Sequence, residues 1–140
     1  MLYLDTSLLV TAMTPEPATR AVQSWLEAHA GNEIAISEWV ATEFSAALSV
    51  KLRNNKIDTD QVREAMAQFS RMAIDSAEVL QITTEHFRLA ARFAQLSETG
   101  IRAGDALHLA IASTAFATLC TRDKRLAEAG ISLGVSTILL

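Results

Sequence analysis

The chain has 140 residues, of which 50% are apolar and 20% are charged, with five glycines and two prolines. This balance predicts a single globular domain over residues 1–140 and excludes a disordered chain. The net charge of -4 argues against a protein that holds nucleic acid by a basic surface alone.

The sequence also limits the cellular compartments in which the protein is expected and the kinds of site that it can form. Cys120 is the only cysteine, which excludes an intrachain disulfide and a zinc site built on several thiolates. The segment before Asp5 has no basic residue and does not have the pattern of a secretory signal. The longest uncharged run, 106–121, is too short to span a bilayer comfortably. We therefore expect a cytoplasmic protein.

The first half of the chain alternates short apolar runs with helical patterns. Leu2–Leu4 predicts a strand, and the capping side chains of Asp5, Thr6 and Ser7 predict a helix directly after it. Ser37 is expected to cap a long helix. The further elements of this half are a helix over 18–30, a strand over 33–36, the helix from 37 to about 54 and a helix opening at 58–60.

The second half continues the same alternation. The predicted elements are a strand over 79–82, a helix from Thr84 toward Gly100, a helix opened by 102–105, a strand over 117–121, a helix over 124–129 ended by Gly130, and a strand over 136–140. Strands that alternate with helices predict an α/β fold, with a mostly parallel sheet of about five strands and helices on both faces.

Acidic residues are expected at one edge of this sheet. Parallel sheets bind ligands beyond the carboxyl ends of their strands, and Asp5 and Asp123 directly follow predicted strands. Asp105 opens a helix that leads into the strand over 117–121, so the two elements run antiparallel. A helical advance of about 14 Å and a strand return of about 16 Å bring Asp105 level with Asp123.

A fourth carboxylate, Glu43, is expected to lean over the same edge, because it lies about 9 Å along the helix that leaves the second strand. Glu38 is rotated roughly 140° around that helix and points elsewhere. Crowded carboxylates repel one another unless divalent cations lie between them. Oxygen ligands suit Mg²⁺ or Mn²⁺, and one or two such ions would orient a phosphodiester and activate water for its hydrolysis.

Each acid also has an ordinary structural explanation. Asp5 and Asp123 are suited to cap the helices that follow them, and Asp105 is an acid in a first helical turn, where the helix dipole favours it. Glu43 has the pattern of a solvated helix residue. The metal-site hypothesis therefore depends on the convergence of the acids and not on any single one.

Taken together, these segments resemble the PIN-domain family and, within it, the VapC-like ribonuclease toxins of bacterial toxin–antitoxin pairs. The resemblance covers nearly the whole chain and implies a three-layer α/β/α sandwich with Mg²⁺- or Mn²⁺-dependent endoribonuclease activity. The matching segments are Leu4-Asp5-Thr6-Ser7, Thr42-Glu43, Arg102–Ala110 and Thr121–Leu126.

The resemblance also implies roles for individual residues. Asp5 and Asp105 would be direct magnesium ligands, while Glu43 and Asp123 would bind through water or hold a second ion. Ser7 and Thr121 would be supporting hydroxyls, unless they merely cap a helix and end a strand. Basic residues beside the acids would contact RNA or be solvated surface charges: Arg102, Arg122, Lys124 and Arg125.

Partners are implied in the same way. The resemblance implies an antitoxin protein that occludes or enters the carboxylate cleft, and a homodimer formed through apolar positions of the helix over 37–54. The target RNA is left open between messenger RNA and transfer RNA.

Other interpretations of the motifs are weaker. Residues 130–134 match GxSxG, but they follow a helix and no histidine or acid comes after them. An aspartyl phosphatase would also place its nucleophile at Asp5, but its pattern has a second aspartate where this chain has Ser7. A catalytically silent PIN scaffold or RNA-binding module stays an alternative. The histidines are not expected to bind zinc: His29 and His86 are predicted on the surface, and His108 is predicted to pack or to hydrogen-bond near Asp105.

Overall fold

The computed structural model of the protein describes residues 1–96 and 100–140. Helices and strands alternate through these residues as the sequence predicts. The strands are β1 Leu2–Leu4, β2 Ile34–Ser37, β3 Ala77–Leu80, β4 Thr118–Thr121 and β5 Thr137–Leu139. The helices are α1 Thr6–Met13, α2 Thr19–Ala28, α3 Glu38–Arg53, α4 Thr59–Asp75, α5 Thr84–Leu96, α6 Ala103–Thr114 and α7 Lys124–Ser132.

The described strands form one sheet in the order β3-β2-β1-β4-β5, and every pair in it is parallel. In the central strand, Leu2 is in register with Ile34 on one side and with Thr118 on the other. The chain therefore builds the sheet outward from β1 in both directions, and its order reverses between β1 and β4. Clefts in parallel sheets open at such a reversal, beyond the carboxyl ends of the strands.

The core lies around β1 and β4. Tyr3, Leu119 and Cys120 have no exposed surface. Helix α1 packs against α2, α3 and α4, while α6 packs against α5 and β4. Helices α1 and α6 are buried over most of their length, which explains why their sequences are apolar almost all round. The observed architecture confirms the predicted α/β/α fold.

Several predicted boundaries are wrong by a few residues. Strand β3 begins at Ala77 because Ala77 and Glu78 pair with β2 at the exposed edge of the sheet, where no apolar alternation marks a strand. Strands β4 and β5 are shorter than predicted, and α2 ends before its capping residue His29. The helix predicted toward Gly100 is described as far as Leu96, and the part of that prediction over 97–99 lies outside the described residues.

Two local predictions fail because a tertiary contact overrides them. Ser37 precedes α3 but its hydroxyl makes no capping hydrogen bond; it lies 2.8 Å from the Tyr3 hydroxyl instead. Gly130 does not end α7, which continues to Ser132. The start of the GxSxG match therefore lies inside a helix, in agreement with its rejection as a nucleophile elbow.

No helix in residues 1–96 or 100–140 combines the length and the apolar character that a membrane crossing needs.

Position 130 of α7 is a glycine at a close approach to β5, where a side chain would collide with the strand. A Cβ atom on it would overlap the Thr137 hydroxyl and lie 3.1 Å from Leu109 Cδ2. We predict that Gly130→Ala lowers the free energy of unfolding by about 1–3 kcal/mol, because overpacking outweighs the gain in helix propensity. Urea unfolding measures the change.

Gly31→Ala is the matched control, since a Cβ atom there would meet no atom within 4 Å. Adding Thr137→Ala to Gly130→Ala should recover part of the lost stability. If Gly130→Ala is as stable as the wild type, the close approach of α7 to β5 is contradicted.

Candidate active site

The four acids singled out in the sequence line one cleft of about 570 Å³. Asp5 and Asp123 come from the ends of β1 and β4, Glu43 from the second turn of α3, and Asp105 from the first turn of α6. The cleft therefore opens where the sheet order reverses. Its other walls are formed by Thr6, Ser7, Val10, Thr11, Glu16, Ala46, Ala47, Val50, His108 and Arg122.

Asp5 is the most deeply buried of the acids, with 4% of its surface exposed. It caps α1, because its Oδ1 accepts a hydrogen bond of 3.1 Å from the Leu8 amide. Ser7 Oγ donates to Oδ1 at 2.8 Å, and Thr121 Oγ1 donates to Oδ2 at 2.9 Å. Burial raises the pKa of Asp5, and these hydrogen bonds and the nearby His108 ring offset that rise only in part.

The hydroxyls of Ser7 and Thr121 join the ends of β1 and β4. Besides donating to Asp5, Ser7 Oγ accepts from the Arg122 amide at 2.9 Å, and Thr121 Oγ1 accepts from the Asp123 amide at 2.9 Å. Each hydroxyl thus orients Asp5 with its proton and holds the loop after β4 with its oxygen. They do more than the capping and strand termination that were their structural alternatives.

Glu43 is held by residues from two other elements. Its Oε2 accepts from Thr6 Oγ1 at 2.6 Å and from His108 Nε2 at 2.7 Å. Burial alone would raise the pKa of Glu43, but the hydrogen bonds from His108 and Thr6 outweigh it and lower the pKa. The other oxygen, Oε1, faces Gly104, where a Cβ atom would approach it to 2.9 Å.

Neither Thr6 nor His108 was identified from the sequence as a site residue. His108 is 2% exposed, and its ring hydrogen-bonds Glu43 in the cleft that Asp105 also lines. The signal for His108 was its three-residue spacing from Asp105, which places both on one helix face. Thr6 carried no signal beyond its position next to Asp5.

Asp105 and Asp123 each serve their own helix and also line the cleft. Asp105 Oδ2 accepts from the Arg102 amide at 3.0 Å, while Asp123 Oδ1 accepts from the amides of Arg125 at 2.8 Å and Leu126 at 3.2 Å. Their second oxygens, Asp105 Oδ1 and Asp123 Oδ2, accept no hydrogen bond from the part of the chain that the structure describes. The capping and the ligand-binding interpretations are therefore compatible for both residues.

The donor chemistry of the cleft fits a hard divalent cation, because its walls offer carboxylate and hydroxyl oxygens. The side-chain positions are less complete. Over the described ranges 1–96 and 100–140, no group of three or more His, Cys, Asp and Glu side chains lies close enough together to hold a metal ion. Each carboxylate accepts hydrogen bonds from protein donors, and the bound metal stays a prediction.

The basic residues expected to contact RNA are distributed unevenly. Arg122 lines the cleft, and its guanidinium donates to the Leu140 carbonyl at 3.3 Å. Lys124 lies 3.6 Å from Glu128, and Arg125 donates to the Gly100 carbonyl at 3.0 Å. Arg102, Lys124 and Arg125 are exposed at the starts of α6 and α7 and do not line the cleft.

The remaining histidines lie away from the acids. His29 is stacked on Trp25 and hydrogen-bonds its carbonyl at 2.8 Å. His86 contacts Thr83 and the Thr114 hydroxyl. Both rings are half-buried, and neither lines the cleft.

Known proteins share this sequence pattern and this fold. The sequence pattern of the PIN domain matches residues 2–131. The fold is similar to FitAcB from Neisseria gonorrhoeae, with 18% identity, 99% of this chain and 96% of that chain covered, and a TM-score of 0.73. It is also similar to VapBC2 from Rickettsia felis, bound to a DNA fragment from their promoter, with 21% identity, 100% and 99% covered, and a TM-score of 0.70.

A third similar structure is VapC20 from Mycobacterium tuberculosis, described as a sarcin-ricin loop cleaving toxin. It has 16% identity, 93% of this chain and 95% of that chain covered, and a TM-score of 0.73. No curated protein matches the chain.

An ion pair at the far wall of the cleft links α3 to the loop after α1. Lys51 Nζ lies 2.7 Å from Glu16 Oε1, and Thr11 Oγ1 donates to Glu16 Oε2 at 2.9 Å. Partial burial opposes ionisation of Glu16, but the hydrogen bonds from Lys51 and Thr11 prevail and lower its pKa. Ionised Glu16 therefore stabilises the fold above its unfolded pKa of about 4.3, and this contribution is lost as the pH falls through the lower folded pKa.

We predict that Glu16→Gln lowers the free energy of unfolding at pH 7 by about 0.5–1 kcal/mol and has a smaller effect at about pH 3. Thermal unfolding at both pH values measures the difference. Glu27→Gln, at an exposed position of α2, is the control. A deficit that is equal at both pH values would show that packing, and not charge, is responsible.

Proposed function

The chain belongs to the PIN domain family, and on that premise we propose that it is an Mg²⁺- or Mn²⁺-dependent endoribonuclease that acts as the toxin of a toxin–antitoxin pair. The observation that carries this proposal is the shared cleft of Asp5, Glu43, Asp105 and Asp123, which come from four separate parts of the chain. If these acids served only to stabilise the fold, each could do so at its own helix. The four would then have no reason to lie at one edge of the sheet.

In this proposal Asp5 and Asp105 hold an ion directly, and Glu43 and Asp123 bind through water or hold a second ion. When bound, such an ion polarises the phosphodiester and lowers the pKa of a water nucleophile. Ser7 and Thr121 keep Asp5 oriented toward the cleft through their hydroxyl protons. Arg122 supplies positive charge for a phosphate group in the cleft.

The similarity to VapC20 supports the toxin assignment, because that protein is described as a sarcin-ricin loop cleaving toxin. The acidic balance of this chain is compatible with an RNA substrate if a divalent ion supplies positive charge at the scissile phosphate. The substrate stays open between messenger RNA and transfer RNA, and the proposed compartment is the cytoplasm.

The shape of the cleft supports an antitoxin partner. Beyond the acids, its wall is formed by Val10, Ala46, Ala47 and Val50. A peptide that carries a basic side chain beside apolar ones would pair its charge with the carboxylates and bury its apolar groups on this wall. We further propose a homodimer through apolar positions of the helix over 37–54, of which Leu52 is 37% exposed.

A catalytically silent PIN scaffold is the second candidate. It is favoured by the hydrogen bonds that each carboxylate already accepts from protein donors and by the lack of a gathered metal-binding group in the described residues. An aspartyl phosphatase is disfavoured, because Ser7 occupies the position of the second aspartate and donates its hydroxyl proton to Asp5.

We predict that Asp5→Asn abolishes Mn²⁺-dependent RNA cleavage, with a loss of at least about 100-fold, because a neutral amide cannot supply the anionic ligand. The amide keeps the shape and an oxygen to cap α1, so circular dichroism should not change. Cleavage is measured on a pool of structured RNA with and without EDTA.

Asp60→Asn is the matched control, because Asp60 pairs with Arg63 on the exposed face of α4. Equal cleavage by the wild type and Asp5→Asn would remove Asp5 from the mechanism. Release of phosphate from small phosphomonoesters without RNA cleavage would favour the phosphatase, and neither activity would favour the scaffold.

A second variant tests Glu43 without changing an acid. Gly104→Ala places a methyl group 2.9 Å from Glu43 Oε1 and 3.3 Å from Trp39, so the carboxylate has to move. We predict a fall in RNA cleavage of about 10-fold or more at unchanged secondary structure, since small displacements of catalytic groups are costly. Gly31→Ala should cleave as the wild type does, and full activity of Gly104→Ala would contradict a requirement for this position of Glu43.

A further inference from the structure

A continuous chain of buried hydrogen bonds leads from β2 to the cleft. Ser37 Oγ lies 2.8 Å from the Tyr3 hydroxyl, which lies 3.0 Å from His108 Nδ1. His108 Nε2 in turn lies 2.7 Å from Glu43 Oε2. Ser37 and Tyr3 have no exposed surface and His108 is 2% exposed, so each of these polar groups depends on the chain for its hydrogen bonds.

Glu43 is the acceptor at the cleft end of this chain. An ionised carboxylate can only accept, so His108 Nε2 carries a proton and donates it to Glu43. The Tyr3 hydroxyl hydrogen-bonds His108 Nδ1 on one side and Ser37 Oγ on the other. Burial raises the pKa of Tyr3, so the phenol keeps its proton.

We propose, building on the nuclease function above, that Tyr3 and His108 are positioning residues that hold the Glu43 carboxylate at the cleft through this chain of buried hydrogen bonds. The chain starts on β2, crosses the central strand and passes through α6 to reach α3, so it ties the Glu43 side chain to the rigid centre of the sheet. With Oε2 bound by His108 and Thr6, Oε1 is the oxygen left to face the Gly104 side.

This role differs from simple core packing. Tyr3 lies among apolar side chains of the central strand, where phenylalanine would fill nearly the same volume without a hydroxyl to satisfy. The Tyr3 ring is tilted by 53° against the His108 ring at a centroid distance of 5.8 Å, so the contact between them is set by the hydroxyl and not by stacking. Removal of that one oxygen atom therefore separates the positioning role from packing.

The test reads the His108 ring directly. In uniformly ¹⁵N-labelled, metal-free protein at neutral pH, long-range ¹H–¹⁵N spectra should show a His108 Nε2 proton that exchanges slowly with water. In Tyr3→Phe this proton should exchange faster, because the ring has lost its partner at Nδ1 and is less firmly held against Glu43. RNA cleavage with Mn²⁺ should fall about 10-fold in kcat with KM little changed, as is typical when a hydrogen-bond partner of a ligand is lost.

Paired replacements of His108 keep the test decisive if Tyr3→Phe does not fold. Glutamine can still donate an amide proton toward Glu43, whereas leucine fills the space without a donor. We expect His108→Gln to retain clearly more cleavage than His108→Leu at equal thermal stability. His86→Gln is the control, since His86 bonds Thr83 and Thr114 away from the cleft and should change neither cleavage nor the His108 signals.

The outcomes separate this inference from the proposed function. A bare Nε2, or a Tyr3→Phe variant that keeps both the slow exchange of the Nε2 proton and full cleavage, would overturn the inference while leaving the nuclease intact. If the wild-type chain cleaves no RNA, the proposed function fails, and the exchange of the Nε2 proton in the wild type and in Tyr3→Phe still decides whether Tyr3 and His108 position Glu43.

Discussion

Asp5 is an ionisable group with 4% of its surface exposed, at the point where the two central strands of a parallel sheet end. Removing a carboxylate from water is costly unless donors or cations replace the lost solvation. Here the Leu8 amide and the hydroxyls of Ser7 and Thr121 donate hydrogen bonds to Asp5, which offset this cost. The geometry of the cleft depends on these contacts, because they also join the end of β1 to the end of β4.

The other acids also combine a structural role with a place in the cleft. In Asp105 and Asp123, one carboxylate oxygen accepts hydrogen bonds at the start of the helix and the other faces the cleft. In Glu43, one oxygen accepts hydrogen bonds from Thr6 and His108. An acid that also stabilises its element is held in a defined position before any ligand arrives. Such preorganisation is what a metal-assisted hydrolase needs, and it is equally what keeps the cleft intact in the absence of an ion.

Close packing supports the site at positions that carry no charge. Gly104 leaves room for Glu43 Oε1, and Gly130 lets α7 lie against β5 directly after the loop that carries Asp123. The hydroxyls of Tyr3 and Ser37 are buried beneath the cleft and carry hydrogen bonds toward it. The polar site and the apolar core are therefore parts of one packed structure, and changes in the core are expected to reach the acids.

The sequence by itself determined the alternation of strands and helices, the position of Asp5 and Asp123 after strands, and the membership of Glu43 and Asp105 in one acidic set. These features are written in local patterns of apolar runs and capping residues, supported by the ordered family motifs. It did not determine the exact edge of β3, the end of α7 or the use of the Ser37 hydroxyl, because each depends on a neighbour distant in the chain. Tertiary structure decided that His108 and Thr6 bind Glu43 and that Thr121 reaches Asp5, since those partners are 65, 37 and 116 residues away along the chain. Hydrogen bonds between such remote side chains follow from the packing of whole elements, which no local pattern encodes.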